Sequence, residues 1–159
     1  MKERGIRFRL EHVGVAVESL DEASAQWSRL LGLETSSPER VESEGVRLSF
    51  LDVENSRVEL LEGLSDGSPI SRFLERRGSG VHHLSFEIEG VGIDEWFETL
   101  ARRGARLIGE GPRPGADGCR VFFVHPASTG GVLIEFSQRS VDERDATGEP
   151  PSSTERSDT

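Results

Sequence analysis

The chain has 159 residues, of which 29 are acidic and 19 basic, and its formal net charge at pH 7 is −10. This acidic balance argues against nucleic acid as a main partner, because phosphate contacts need a basic surface. The one cysteine, Cys119, excludes an internal disulfide and a thiolate zinc site, and no apolar run approaches the length of a membrane span. We therefore expect a cytoplasmic protein that binds neither nucleic acid nor a membrane.

The first half of the chain predicts the element order β-α-β-β-β. A strand over residues 10–17 alternates in polarity, and a helix follows over residues 20–31, with Ser19 as its N-cap and Gly32 at its end. Three further strands are expected over residues 33–36, 46–53 and 58–62. We assign this unit to residues 6–65 and call it the first module.

The second half repeats that order after a short connecting helix. The linker spans residues 66–79, and its helix begins after the N-cap Ser68 with Pro69 in the first position. The second module is predicted over residues 80–138, with strands at residues 81–88, 105–108, 119–125 and 132–137 and a helix at residues 93–103. Residues 139–159 are acidic and lack large apolar side chains, so we expect a disordered tail.

Polar residues interrupt apolar strands at matching places in the two halves. His12 and His83 lie in the first strand of each half, and Glu59 and Glu135 lie in the last. A carboxylate within an apolar strand is costly to bury unless it is paired or bound to a cation. Two imidazoles and two carboxylates suit one divalent ion such as Co²⁺, Mn²⁺, Ni²⁺, Zn²⁺ or Fe²⁺. We therefore predict an α+β protein in which two βαβββ modules with curled mixed sheets surround a central metal site.

Each of these residues taken alone has a simpler interpretation. A lone histidine in a strand is more often structural than a ligand, and Glu59 by itself would more often face solvent. The repeat of all four residues in register favours the metal site. His82 is expected to point to the opposite face of the sheet from His83, since side chains alternate along a strand. His125, which precedes Pro126, is expected to have a turn or packing role.

The chain resembles the vicinal oxygen chelate superfamily, whose members are built from paired βαβββ modules around a metal ion, and within it the methylmalonyl-CoA epimerases. The resemblance rests on the stretches HVGVAVESLDEA from His12, SPISRFLERRGSGVHHLSFEIEGV from Ser68 and HPASTGGVLIEF from His125, and covers about residues 9–138. It implies that the metal ligands are His12, Glu59, His83 and Glu135. It also implies Co²⁺ as the first choice of metal.

The resemblance implies an epimerase that interconverts the (R) and (S) forms of methylmalonyl-CoA by 1,1-proton transfer through a metal-stabilised enolate. Such a reaction needs a base on each face of the α-carbon. Leu48 stands where some epimerases have an acid/base glutamate, so Glu59 and Glu135 are expected to act as the catalytic pair. Arg113 and Arg120, near the glycine-rich segment, are candidates to bind the phosphates of the acyl-CoA substrate. A homodimer is expected, because exposed sheet edges need cover.

Three other functions compete with the epimerase. Glyoxalase I would use the same four ligands and symmetric bases, so the metal site does not separate it from the epimerase. An extradiol dioxygenase would use two histidines and one glutamate on Fe²⁺, and a fourth ligand at Glu59 argues against it. A non-catalytic small-molecule-binding protein of the same superfamily is the remaining alternative. The linker SPISRFLERRG and the ending HPASTGGVLIE favour the epimerase.

Overall fold

The computed structural model describes residues 5–140, which form one α+β unit. Its strands are β1 (Arg7–Ala16), β2 (Glu39–Val41), β3 (Val46–Val53), β4 (Ser56–Gly63), β5 (Gly80–Glu89), β6 (Leu107–Pro114), β7 (Cys119–Val124) and β8 (Ile134–Arg139). Its α-helices are α1 (Leu20–Leu31), α2 (Pro69–Arg77) and α3 (Ile93–Arg102). No helix in this range is both long and apolar enough to span a membrane.

Side-chain caps determine where α1 and α2 begin. The hydroxyl of Ser19 accepts a hydrogen bond from the backbone N–H of Glu22 at 3.3 Å, and Gly32 ends α1 in the left-handed conformation with φ 68°. The hydroxyl of Ser68 likewise accepts from the N–H of Ser71 at 3.1 Å, ahead of Pro69. Both helices therefore begin where the sequence predicts.

The predicted strand over residues 33–36 is wrong. That segment joins β3 only through Ser36, whose N–H donates to the carbonyl of Phe50 at 2.8 Å. Pro38 has no N–H to donate to a ladder, and regular pairing begins only after it, in the three-residue strand β2. In the second half β6 is longer than predicted, since it continues through the glycine-rich segment to Pro114.

The two halves form one continuous mixed sheet rather than two separate ones. The strand order is β2-β3-β4-β1-β5-β8-β7-β6, and the sheet curls into a half-barrel. The pairs β1–β4 and β5–β8 are parallel, whereas β1 and β5 pair antiparallel at the centre. The arrangement is symmetric about the central β1–β5 pair, which carries the two histidines. On one side of it follow β4, β3 and β2, and on the other β8, β7 and β6. The division into modules at residues 65, 66, 79 and 80 stays a prediction.

The two faces of the sheet have different roles. Helices α1 and α3 cover one face, where Leu20 packs with Leu51 and Leu60, and Trp96 packs with Phe122. On the other face, α2 packs against β4 and β1; the apolar side chains there include Val46, Leu48, Phe50, Leu61 and Ile70. We call these the helix face and the site face.

The first two residues of the predicted tail, Arg139 and Ser140, lie within the part of the chain that the structure describes. Arg139 is the last residue of β8, where its backbone pairs with that of Cys119 in β7. The remainder of that prediction, residues 141–159, lies outside the described residues.

Candidate metal centre

Strand register brings the four predicted ligands together in two short rows. In one row Glu59 of β4 lies beside Gly14 of β1, which lies beside His83 of β5. In the other row His12 lies beside Ser85, which lies beside Glu135 of β8. Each row thus consists of a glutamate, a small residue and a histidine. The two rows cross the β1–β5 pair in opposite directions, so the glutamate is at the β4 side in one row and at the β8 side in the other.

The small residues are needed because the side chains lean across them. A Cβ on Gly14 would lie 2.2 Å from Cε1 of the His83 ring, so any larger residue would displace that imidazole. Ser85 is fully buried, and its hydroxyl donates a hydrogen bond of 2.7 Å to Oε1 of Glu135. Gly14 therefore leaves room for the imidazole of His83, and Ser85 orients the carboxylate of Glu135.

Donor atoms of the other three residues lie within 3.5 Å of Nε2 of His12. The Nε2 atoms of His12 and His83 lie 3.0 Å apart, and Oε2 of Glu59 lies 3.1 Å from the first and 3.4 Å from the second. Oε1 of Glu135 lies 3.5 Å from Nε2 of His12. All four residues are at most 7% exposed. His12, His83 and Glu135 place one donor atom each within 4.8 Å of one another, which is a group able to hold a metal ion.

The electrostatics of this cluster fit a cation. Burial opposes the charged form of His12, but the neighbouring Glu59, with Glu11 and Glu135, raises the pKa of His12 to about 10. Burial also opposes ionisation of Glu59, but His12 and then His83 hold the pKa of Glu59 well below its usual range. Burial prevails for Glu135 and raises its pKa. Two buried carboxylates facing two imidazoles thus form a donor set suited to one divalent ion, whose charge would replace the proton on His12.

A β-bulge precedes each of the two histidines. The side chain of the unpaired residue in each bulge contacts the ring of the histidine that follows it. The pairing of β1 with β5 skips Glu11, whose carboxylate contacts Nδ1 of His12 and is itself paired with Arg57. The pairing also skips His82, whose Nδ1 lies 3.0 Å from Nδ1 of His83. The prediction that His82 points to the opposite face is therefore wrong, because the bulge interrupts the alternation of side chains.

A largely apolar cavity of about 140 Å³ opens beside the cluster. We call it the inner cavity; its lining includes Glu59, His83 and Glu135 together with Leu48, Leu61 and Phe123. Leu48, the departure noted in the sequence, is 2% exposed and leaves this wall without a carboxylate. Arg113 also lines the cavity, and its guanidinium pairs with Glu44.

Arg120 does not reach this cavity. Along β7 its side chain shares the helix face with Phe122 and Val124, whereas Val121 and Phe123 share the site face. Its guanidinium pairs with Asp94 of α3 at 2.5 and 2.9 Å. The sequence suggested Arg120 from its position near the glycine-rich segment, but strand alternation directs it away from the site. His125 fits its expected turn role, since its Nδ1 accepts a hydrogen bond from the N–H of Ala127 at 3.0 Å.

Known proteins share this architecture. Residues 11–123 match the family model of the glyoxalase/bleomycin resistance protein/dioxygenase superfamily, so the chain belongs to that superfamily. The ethylmalonyl-CoA/methylmalonyl-CoA epimerase of Cereibacter sphaeroides is 39% identical over 132 residues, which cover 82% of this chain and 97% of that protein.

Solved structures agree with this relationship. The crystal structure of methylmalonyl-CoA epimerase from Mycobacterium tuberculosis has a TM-score of 0.78 and 32% identity, covering 87% of this chain and 92% of that one. A methylmalonyl-CoA epimerase in complex with methylmalonyl-CoA and NH₄⁺ has a TM-score of 0.76 and 30% identity, covering 84% and 95%. These three relatives are all named as epimerases that act on methylmalonyl-CoA, so within the superfamily the comparisons favour an epimerase over glyoxalase I.

Proposed function

We propose that this protein is a metal-dependent epimerase that interconverts the (R) and (S) forms of methylmalonyl-CoA. The buried cluster of two histidines and two glutamates beside an apolar cavity is the observation that carries the proposal. The similarity to epimerases over more than four fifths of the chain supports the choice of substrate.

His12, Glu59, His83 and Glu135 would hold one divalent ion, with Co²⁺ proposed first and Mn²⁺, Ni²⁺, Zn²⁺ or Fe²⁺ as the other candidates. When bound, such an ion acts as a Lewis acid that stabilises negative charge on substrate oxygens and so favours loss of the α-proton. The chain itself has to supply the bases, the orientation of the acyl group and the exclusion of water.

Glu135 and Glu59 are the proposed acid/base pair. They lie on β8 and β4, on opposite sides of the β1–β5 pair, so their carboxylates approach the cluster from two directions. One carboxylate oxygen removes the α-proton, and the other glutamate returns a proton to the opposite face of the carbon. The Ser85 hydroxyl donates a hydrogen bond to Oε1 of Glu135 and so orients that carboxylate.

The apolar lining protects the deprotonated carbon from water. Leu48, Leu61 and Phe123 line the inner cavity and offer no proton that could quench the carbanion. Leu48 brings no carboxylate to this wall, and Glu44, which also lines the cavity, is paired with Arg113. We therefore assign proton exchange with the substrate to the two glutamates of the cluster.

The test is to follow a single epimer of methylmalonyl-CoA in D₂O, with and without a chelator. Wild-type protein loaded with Co²⁺ is expected to incorporate deuterium at the α-carbon and to form the other epimer, and chelation is expected to abolish both. Glu135→Gln and Glu59→Gln are each expected to lower the rate by about 10²- to 10⁴-fold, the usual contribution of a positioned acid/base.

Two control reactions separate the competing functions. Ethylmalonyl-CoA, which the name of the Cereibacter relative also contains, tests whether the substrate range extends to that compound. Methylglyoxal with glutathione tests for glyoxalase I. Isomerisation of the glutathione adduct without epimerisation of either acyl-CoA would refute the proposal.

The cytoplasmic location and the homodimer are also proposed. The free ends of the eight-stranded sheet are β2 and β6, and an unpaired strand edge is a natural place for a second copy to bind. Light scattering of the purified chain at micromolar concentration would give the mass of the particle and decide between monomer and dimer.

A further inference from the structure

A second cavity, which we call the outer cavity, adjoins the inner one. Residues of α2 form one side of it, and His125, Pro126 and Gly131 form the other. Four residues line both cavities: Pro69, His82, Ile108 and Leu133. The two spaces are therefore neighbours around His82, which separates the buried cluster from the surface.

The outer cavity is lined by three exposed arginines of α2, namely Arg72, Arg76 and Arg77, which we call the α2 arginines. No carboxylate lines this cavity, and none of the three forms an ion pair with an acid within residues 5–140. The arginines chosen from the sequence differ in this respect, since Arg113 pairs with Glu44 and Arg120 with Asp94.

Helix stability does not account for this arrangement. Arg76 and Arg77 lie in the last turn of α2, where positive charge favours the helix, but Arg72 lies one turn earlier. Arg72 and Arg76 are four residues apart, so two like charges share one side of the helix, which disfavours it. In a chain with a net charge of −10, a concave surface with three guanidiniums that pair with no acid of residues 5–140 is suited to a ligand with several negative charges.

We propose that the outer cavity is the phosphate-binding part of the substrate site and that the α2 arginines contact the phosphates of coenzyme A. This inference rests on the proposed function, because it takes the ligand to be an acyl-CoA. The acyl group would lie in the inner cavity, and the pantetheine arm would pass His82 and Leu133. The nucleotide phosphates would then lie against Arg72, Arg76 and Arg77.

The test is a titration with coenzyme A itself, which has no acyl group and so needs no turnover. The triple variant Arg72→Ala, Arg76→Ala, Arg77→Ala is compared with a control variant that loses three exposed arginines elsewhere: Arg7→Ala, Arg29→Ala, Arg102→Ala. Both variants carry the same change in net charge. The α2 variant is expected to bind coenzyme A at least about tenfold more weakly, and the control to change by less than about twofold.

A kinetic comparison locates the effect on the nucleotide. The α2 variant is expected to lose much more kcat/KM with methylmalonyl-CoA than with the matching pantetheine thioester, which lacks the nucleotide phosphates. Added salt should weaken coenzyme A binding more in the wild type than in the α2 variant.

Two results would overturn the inference. One is coenzyme A affinity in the α2 variant equal to that of the control. The other is inorganic phosphate binding to the wild type as tightly as coenzyme A, which would make this a site for free phosphate. The titration needs no catalysis, so it reports on the α2 arginines even if the wild-type protein does not epimerise methylmalonyl-CoA. A lack of epimerisation would refute the proposed function, not the role of the α2 arginines.

Discussion

At the scale of single residues, Gly14 determines whether His83 can reach the cluster. Gly14→Ala would place a Cβ 2.2 Å from the His83 ring, and the imidazole would have to move. We expect the variant to fold and to bind Co²⁺ roughly 10- to 100-fold more weakly, the range found when the supports of a metal ligand are altered. Metal titration followed by visible absorption measures this.

Gly80→Ala is the matched control for that substitution. Gly80 lies in β5, the strand that carries His83, but a Cβ there would meet nothing within 4 Å. Equal metal affinity in the two variants would show that the absence of a Cβ at Gly14 is not needed to position His83 for metal binding.

Glu11 acts on His12 through the other ring nitrogen. Its carboxylate contacts Nδ1, which leaves Nε2 facing the cluster, and Arg57 holds that carboxylate in place. Glu11→Gln is expected to weaken metal binding by about 10- to 100-fold. Glu42→Gln, which alters an exposed glutamate paired with Arg40, is the control. Metal content after dialysis against a chelator would show a loss in the first variant only, and retention in both would argue against this role for Glu11.

The four cluster residues could be predicted from the sequence because the repeat places them at equivalent strand positions. His82 could not, since its orientation depends on a bulge that only the pairing of β1 with β5 defines. The α2 arginines were missed for a similar reason. Their charge becomes informative only when α2, β6 and the turn at His125 enclose a common space.

At the scale of elements, local signals predicted the helices better than the edge strands. Ser19, Gly32 and Ser68 act on the backbone within a few residues, so their effect can be read directly from the sequence. An edge strand such as β2 depends on what it can pair with, and Pro38 decides where that pairing begins. The continuous sheet likewise depends on long-range contacts between β1 and β5.

The cap of α2 gives a prediction at this scale. Ser68 is buried and its hydroxyl bonds to Ser71, so Ser68→Ala should lower the free energy of unfolding by about 1 kcal/mol, within the usual range for an N-cap. Ser79→Ala, at an exposed position just beyond the helix, is expected to change it far less. Urea denaturation of both variants tests this, and equal midpoints would contradict it.

At the scale of the whole molecule, binding of the ion should stabilise the fold. An ion that binds only the folded chain adds about 2.7 kcal/mol when its free concentration is 100 times its Kd. We therefore expect calorimetry to show a higher Tm with Co²⁺ than with chelator. The double variant His12→Ala, His83→Ala should lose that difference, and an unchanged difference would place the stabilising ion elsewhere.

The β1–β5 pair gives the cluster one further property. Each half of the chain contributes one imidazole and one carboxylate, so two donors are the most that either half can offer alone. If Co²⁺ binds the four residues as proposed, its visible colour during refolding should therefore develop only when the halves dock. The absorbance trace would time that event separately from the formation of helices, which circular dichroism follows.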